Sequence, residues 1–321
     1  MQKYFKQIED KVRVCYSIAE EARKKGLDPL SKVEIPIARS LAERVVGIIS
    51  SVYPQINDPK IVKRILELEE QFGQLDPTVS FKIAEEIAKE KFCKFESQLQ
   101  AMEAGIRIGF AYNTLGVVSS PIEGFTELKL GKTRKGEDYL KAYFSGPIRS
   151  AGTTASCLVL FIIDYLREFF GYAKFDPDDD EVKRYITENF DYHERVSNLQ
   201  YLPHEEEIEL LAKNLPIQIC GDPTEDKEVS NYKDLERIET NFIRGGMCLI
   251  FSEGLAQKAP KGLRLLKKAK ANGIVSTGWD FLEKYVEMHT KMAEKGASDT
   301  SPTYIKDLVA GRPVFGHPSR S

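Results

Sequence analysis

Several things are scarce in this sequence. Its 321 residues hold one tryptophan, four histidines and five cysteines. Cys15, Cys93, Cys157, Cys220 and Cys248 are odd in number and widely spread, and no two stand in Cys-x-x-Cys spacing. That excludes a zinc ribbon or a disulfide framework. All five read as small buried apolar residues in a reducing compartment. His193, His204, His289 and His317 lie far apart without ligand spacing, so no zinc site is predicted. Net charge is also nearly absent: 46 Lys+Arg against 49 Asp+Glu leaves −3. A protein that coats nucleic acid by bulk charge is excluded, and any such contact must come from a local patch. Long apolar runs are missing too. The strongest, Ala155 to Ile163, ends at Asp164, well short of the roughly 20 residues a spanning helix needs. No apolar signal-peptide core follows the charged start Met1-Gln-Lys-Tyr-Phe-Lys6. A cytoplasmic location with no membrane partner is the expectation.

What is present suits a folded chain. Hydrophobic residues make up 42% and charged residues 30%, unlike a disordered sequence. At about 150 residues per domain, the length suggests roughly two domains. Tyr4, Phe5, Ile8, Val12, Cys15, Ile18, Ala19 and Ala22 recur at helical steps, and Gly26 stands where a helix stop belongs. Asp58-Pro59 and Asp76-Pro77 each read as an N-cap followed by a first-turn proline. The first of these helices should end at Gly73 and the second near Phe92. Another helix, carrying Leu99, Met102, Ile106 and Phe110, should close near Gly116. The pattern then changes. Phe125–Leu130 and Tyr139–Phe144 read as strands of a hairpin whose loop carries Lys132, Arg134 and Lys135. Helices are predicted over Ala155–Phe170, Asp178–Phe190 and His204–Asn214, with a short strand at Ile217–Cys220. From Arg244 to about Ala271 the chain reads as mostly helix, interrupted at Pro260. Residues 295–302 have the composition of a linker. The predicted class is α+β: a helical region over residues 1–116, a mixed α/β domain over 117–275, and a linker with the start of a further domain over 276–321.

Two loops invite a chemical reading. Tyr143 to Ser156 leaves a strand and enters a helix, whose exposed amides favour anions. Arg149 offers a fork of donors suited to phosphate, and Ser150, Gly152, Thr153 and Thr154 complete a phosphate cradle. Neither the Walker A pattern nor Gly-x-Gly-x-x-Gly fits, and a plain structural turn would account for the same residues. Arg244, Gly245 and Gly246 precede another helix with the same composition, and the two loops are expected to lie close together. A basic stretch follows, with Lys258, Lys261, Arg264, Lys267, Lys268 and Lys270 and no acidic residue. Lys258, Lys261 and Arg264 are candidates for a duplex backbone. The alternative is a solvated helix face, with Leu263, Leu265 and Leu266 turned to the core. The acidic run Asp176 to Glu181 is better explained by helix capping than by a metal. No catalytic set can be assembled from spacing.

Taken together, the motifs match a known family. Ser145-Gly-Pro-Ile-Arg-Ser-Ala-Gly152, Glu239-Thr-Asn241 with Arg244-Gly-Gly246, and Gly311-Arg-Pro-Val-Phe-Gly-His-Pro-Ser-Arg320 resemble the large subunit of archaeal DNA polymerase D, also called DNA polymerase II. Val33-Glu-Ile-Pro36, Val118-Ser-Ser-Pro-Ile-Glu-Gly124, Leu199-Gln-Tyr201, Pro216-Ile217 and Glu228-Val-Ser230 support it in the same order. The sequence departs from the family at Gly152-Thr153-Thr154, where a second glycine is usual, and around Asn231-Tyr-Lys-Asp234. The resemblance covers the amino-terminal part of that subunit. It implies a role in DNA replication within a DNA-directed DNA polymerase, a nucleotidyltransferase. It implies DNA and a small 3′–5′ exonuclease subunit as partners, with self-association, and Mg²⁺ as cofactor of the full polymerase. The family's catalytic carboxylates lie in an Asn-Ala-Asp-Cys-Asp-Gly-Asp segment that this sequence does not contain, so no catalytic or metal residue and no cofactor is expected here. Two other readings stand beside it: a stand-alone nucleotide- or phosphate-binding enzyme built on the Arg149 loop, and an assembly module without DNA contact.

Overall fold

The computed structural model describes residues 2–27, 38–116, 119–224 and 226–299. The Val33–Pro36 motif, Val118 and the Gly311–Arg320 motif lie outside them. The residues up to Arg39 form one unit and those from Ser40 another. In the first, helix α1 (Gln2–Lys24) ends where Gly26 adopts φ +69°. The Gly26 amide donates to Arg23 O and the Leu27 amide to Ala22 O, so glycine's freedom satisfies the helix's last carbonyls. Cys15 is exposed on this helix and Cys93 is half-buried, whereas Cys157, Cys220 and Cys248 are buried. The expectation of five buried thiols is corrected at Cys15, because the face it shares with exposed Tyr4, Ile8 and Ile18 is open.

The second unit opens with α2 (Leu41–Ile49), α3 (Pro59–Phe72), α4 (Pro77–Ala88) and α5 (Gln98–Asn113). Asp58 and Asp76 accept from the backbone amides of Lys60 and Thr78, capping α3 and α4 as their Asp-Pro signals predict. Helix α4 stops four residues before Phe92, where Glu90 turns to φ +55° and its carboxylate receives the Phe95 amide and Lys94. Ala42, Val45, Ile61, Ile65, Ile83 and Ile108 fill one core. The opposite faces of α4 and α5, with Phe81, Met102, Ile106 and Phe110, enter a second core shared with the sheet.

That sheet has three strands. Strand β1 (Phe125–Lys132) pairs antiparallel with β2 (Asp138–Phe144), and β3 (Gln218–Gly221) joins β2 in parallel. Alternation splits the faces. Leu140, Ala142, Phe144 and Ile219 enter the core against α6 (Thr153–Phe169). Leu158 to Ile163 of α6 are at most 2% exposed; burying each such side chain contributes about 1.5–3 kcal/mol. Lys141, Tyr143 and Cys220 take the other face. Arg107 of α5, 4% exposed, donates to the carbonyls of Pro121, Ile122, Phe125 and Thr126. Glu103, one turn earlier, accepts the Leu128 amide at 2.6 Å.

Helices α7 (Asp179–Arg195) and α8 (Glu205–Asn214) link β2 to β3 by way of α6. Asp178 and Glu181 form a capping box, and Asp176 and Glu181 also hold Arg237. The acidic run therefore caps and pairs. After β3 come α9 (Gly245–Leu249), a π-helical stretch Ile250–Ala256 and α10 (Ala259–Ala271). The interruption falls at Gln257–Lys258, and Pro260 sits in the first turn of α10 rather than breaking it from within. Trp279 is buried 5.2 Å from the Phe161 ring. Helix α11 (Leu282–Asp299) continues through residues 295–299, where composition suggests a linker. The chain is thus α+β, predominantly helical around one small mixed sheet.

Candidate functional site

The two glycine loops meet. Gly146–Ala151 forms a 3₁₀ turn between β2 and α6, and Gly152 follows at φ +73°. Gly246 lies against the end of β2 so tightly that a Cβ there would stand 2.0 Å from Phe144 O and 2.5 Å from Ser145 Cα. The contact is made by backbone, and the two arginines do not face a common opening. Arg149, with 35% of its side chain exposed, donates Nε and Nη2 to Glu253 of the π-helical stretch. Arg244, 2% exposed, donates Nε and Nη2 to Glu188 of α7, and its own amide reaches the same carboxylate at 2.6 Å.

Glu188 also accepts from the fully buried Arg184, whose other nitrogens donate to the carbonyls of Tyr232, Thr240 and Phe242. Burial pushes the Glu188 carboxyl up, but Arg244 and Arg184 outweigh it and hold it below the ordinary range. This Arg–Glu–Arg group pins the 232–244 segment to α7. Arg244, read from the sequence as a candidate phosphate ligand, is here paired with Glu188, as a buried charge must be. Gly245 is close to Thr224 and Tyr192, so both glycines serve packing.

Around Arg149 the hydroxyls gather. Ser150 Oγ lies 2.6 Å from Ser119 Oγ and 2.7 Å from Ser120 Oγ, and it donates to Pro147 O. The Ser-Ser-Pro-Ile-Glu-Gly and Gly-Pro-Ile-Arg-Ser-Ala-Gly motifs are thus one structural unit. Thr154 is half-buried in the first turn of α6, which has no side-chain cap.

The basic helix divides in two. Lys267 pairs with Glu283, Lys268 with Asp76 and Lys270 with Asp280. The side chains of Lys258, Lys261 and Arg264 have no ion-pair or hydrogen-bond partner among the described residues, and Lys261 and Arg264 are exposed. Leu266 is buried, whereas Leu263 and Leu265 are only half-buried. At the hairpin, Lys132 at the end of β1 pairs with Asp138 at the start of β2, and Arg134 of the loop pairs with Asp176.

Sequence reasoning missed the partners. Glu253 and Arg107 carry no local signal, because one meets Arg149 across a long sequence separation and the other binds backbone carbonyls. Arg184 and Glu188 stand four residues apart on α7, a helical ion-pair spacing, but their bonds to Arg244 and the 232–242 carbonyls are long-range. No group of three or more His, Cys, Asp or Glu is placed to hold a metal among the described residues, and no helix there is long and apolar enough to cross a membrane.

Comparison with known proteins places this architecture. The family model described as DNA polymerase II large subunit DP2, N-terminal, matches residues 3–288. DNA polymerase II large subunits of three archaea are similar along the chain. That of Nanoarchaeum equitans is 38% identical over 348 residues, covering 98% of this chain and 28% of the relative. That of Methanosarcina barkeri is 41% identical over 325 residues, covering 100% and 27%. That of Archaeoglobus fulgidus is 42% identical over 308 residues, covering 95% and 25%. The chain spans about a quarter of the length of these relatives. With a family model spanning most of its residues, the chain belongs to the family of the N-terminal portion of the DNA polymerase II large subunit.

Proposed function

We propose that this chain is the amino-terminal, non-catalytic part of the polymerising subunit of a replicative DNA polymerase, and that it contributes to DNA binding and subunit assembly. Its partners are DNA and the small exonuclease subunit. The Mg²⁺-dependent nucleotidyl transfer of the whole enzyme is proposed to rest on carboxylates outside this sequence. The observation that carries the DNA reading is the division of the basic helix. Lys258, Lys261 and Arg264 keep their charge unspent, while the neighbouring Lys267, Lys268 and Lys270 each pair with a carboxylate of the chain. With a net charge of −3, attraction to DNA has to come from such a patch. Phosphate contacts of this kind position a protein without reading sequence, which suits an enzyme that copies any template.

The test is fluorescence anisotropy with primed duplex DNA over a range of salt. Each neutralised phosphate adds roughly 0.9 to the slope of log affinity against log salt. Lys261→Ala with Arg264→Ala should weaken binding on all sequences and flatten the slope by up to about 2. Unchanged affinity and slope would remove this surface from the DNA interface and leave assembly as the role.

A further inference from the structure

Helix α11 meets the basic helix α10 at the point where α10 begins. The chain changes from π-helical to α-helical winding at Gln257–Lys258, so α10 starts on a joint. In an unbroken helix the amide of residue 260 would donate to the carbonyl four positions back, at Ala256. Residue 260 is a proline, which has no amide to give. Ala256 is buried, and a buried carbonyl needs a partner. The hydroxyl of Tyr285 on α11 supplies it, donating to Ala256 O at 3.1 Å across 29 positions of sequence.

Tyr285 is itself held in place. Its side chain is buried, and its ring stacks on that of His289 with centroids 6.0 Å apart. His289, one turn further along α11, places Nδ1 2.8 Å from Glu207 Oε1 of α8. The buried Glu207 also receives the His204 amide at 2.9 Å and the Tyr201 hydroxyl at 3.1 Å. The Tyr285 hydroxyl lies 3.4 Å from the same carboxylate, so it stands between Glu207 and Ala256. Burial pushes the Tyr285 phenol up, and the group keeps the proton that the carbonyl needs. Further along, Lys267 with Glu283 and Lys270 with Asp280 join α10 to the same region. Lys258 and Lys261 stand two and five positions after Ala256, so the way they leave the fold follows from how this joint is set.

We propose that Tyr285 is a positioning residue for the basic surface. By supplying the donor that Pro260 lacks, it fixes how α10 leaves the π-helical stretch, and α11, clasped at Glu207, thereby sets how Lys258, Lys261 and Arg264 are presented to DNA. The proposal rests on the reading of α10 as the DNA-facing surface. Its physical content is one shared carbonyl rather than mere proximity. A displacement of α11 takes the hydroxyl away from Ala256 O and loosens the first turn of α10. Because the cations meet phosphates and not bases, the effect falls on affinity for every sequence alike.

Fluorescence anisotropy with primed duplex DNA and amide hydrogen exchange, both on the whole chain, test the proposal. Tyr285→Phe keeps the buried ring and removes only the hydroxyl. It should weaken DNA binding about threefold or more. It should also speed exchange at the amides of Lys261 and Gly262, which close the first turn of α10 onto Lys258 O. His289→Ala, at a partly open position, should act in the same direction and decides the matter if Tyr285→Phe does not fold. In a chain that also carries Lys258→Ala, Lys261→Ala and Arg264→Ala, Tyr285→Phe should have no further effect on binding, because it acts through those cations. A general loss of stability would instead add to theirs. Unchanged affinity and exchange in Tyr285→Phe, or a loss that persists in full without the three cations, overturns the proposal and leaves α10 as the DNA surface. Parental binding by the variant lacking only the three cations overturns the DNA reading, and this coupling with it.

Discussion

Arg149 and Glu253, 104 positions apart in sequence, are joined by two hydrogen bonds, Nε to Oε2 at 3.1 Å and Nη2 to Oε1 at 2.8 Å. The same carboxylate accepts the Gln200 amide at 2.7 Å. One buried acid thus ties the 3₁₀ turn, the 198–200 segment and the π-helical stretch together. Arg149→Ala should cost about 1–2 kcal/mol, toward the lower end because a third of the arginine is solvated. Urea unfolding measures this. A variant as stable as the parent that loses DNA affinity would show that Arg149 serves the phosphate backbone instead.

The two glycines of the loops should differ in kind. Gly246→Ala drives a Cβ into the Phe144 carbonyl at 2.0 Å, and backbone cannot step aside. A loss of about 3 kcal/mol or more is expected. Gly152→Ala meets open space but holds φ +73°, a conformation that costs other residues about 1–2 kcal/mol. Thermal melts of the two variants should rank Gly246→Ala as the worse; the reverse order would show that the loops separate readily.

Acid should loosen the α7 anchor. The folded Glu188 carboxyl is held below its ordinary value of 4.5, so the folded state takes up that proton less readily than the unfolded state does. Its stabilisation is complete above the ordinary value and is lost as pH falls through the depressed folded one. Glu188→Gln leaves two buried guanidinium groups without their carboxylate and should cost about 3–5 kcal/mol at neutral pH. Urea titrations at several pH values should also show a shallower acid limb for the variant than for the parent.

On α10, stability and binding should separate. Lys261→Ala with Arg264→Ala removes exposed, unpaired cations and should move stability by less than about 0.5 kcal/mol. Lys268→Ala exposes the Asp76 cap to the loss of its partner at 2.8 Å. Because that lysine is solvated, the cost should stay under about 1 kcal/mol. A large destabilisation by the first pair would show that their charges are used within the fold.

The chain by itself should extend no primer, with or without Mg²⁺, because two-metal phosphoryl transfer needs a carboxylate cluster. A primer-extension assay against a no-protein control checks this, and extension by a preparation free of other polymerases would contradict it.

Much of the secondary structure was legible because its causes are local. Asp58-Pro59, Asp76-Pro77 and Asp178 with Glu181 announce helix starts within four residues, and the hairpin shows in the aromatic and branched residues on either side of Gly131–Gly136. Helix ends were less legible. Glu90 closes α4 early through bonds to Phe95 and Lys94, which no propensity encodes. The π-helical stretch gave no signal either. The candidate site was legible as motifs and not as roles. Arg149 and Arg244 look alike in sequence, and only burial separates them, one partly open and the other enclosed with Glu188. Glu239 stood within a recognised motif, yet its meeting with Lys141, 98 positions away, depends on how the 222–244 segment folds back over the sheet.

The pair Glu103 and Arg107 has a consequence beyond holding the hairpin. A strand at the margin of a sheet offers its amides and carbonyls to any passing chain, and such margins seed aggregation. On β1, the Leu128 amide is already given to Glu103, and the Phe125 and Thr126 carbonyls to Arg107. Two side chains one helical turn apart thereby imitate a fourth strand at this margin. In a crowded cell, that mimicry lets a sheet of only three strands remain finite, and it leaves the hazard of strand exchange on this margin to the last residues of β1, where Lys129 precedes the exposed Leu130 and Lys132 stands two positions after it.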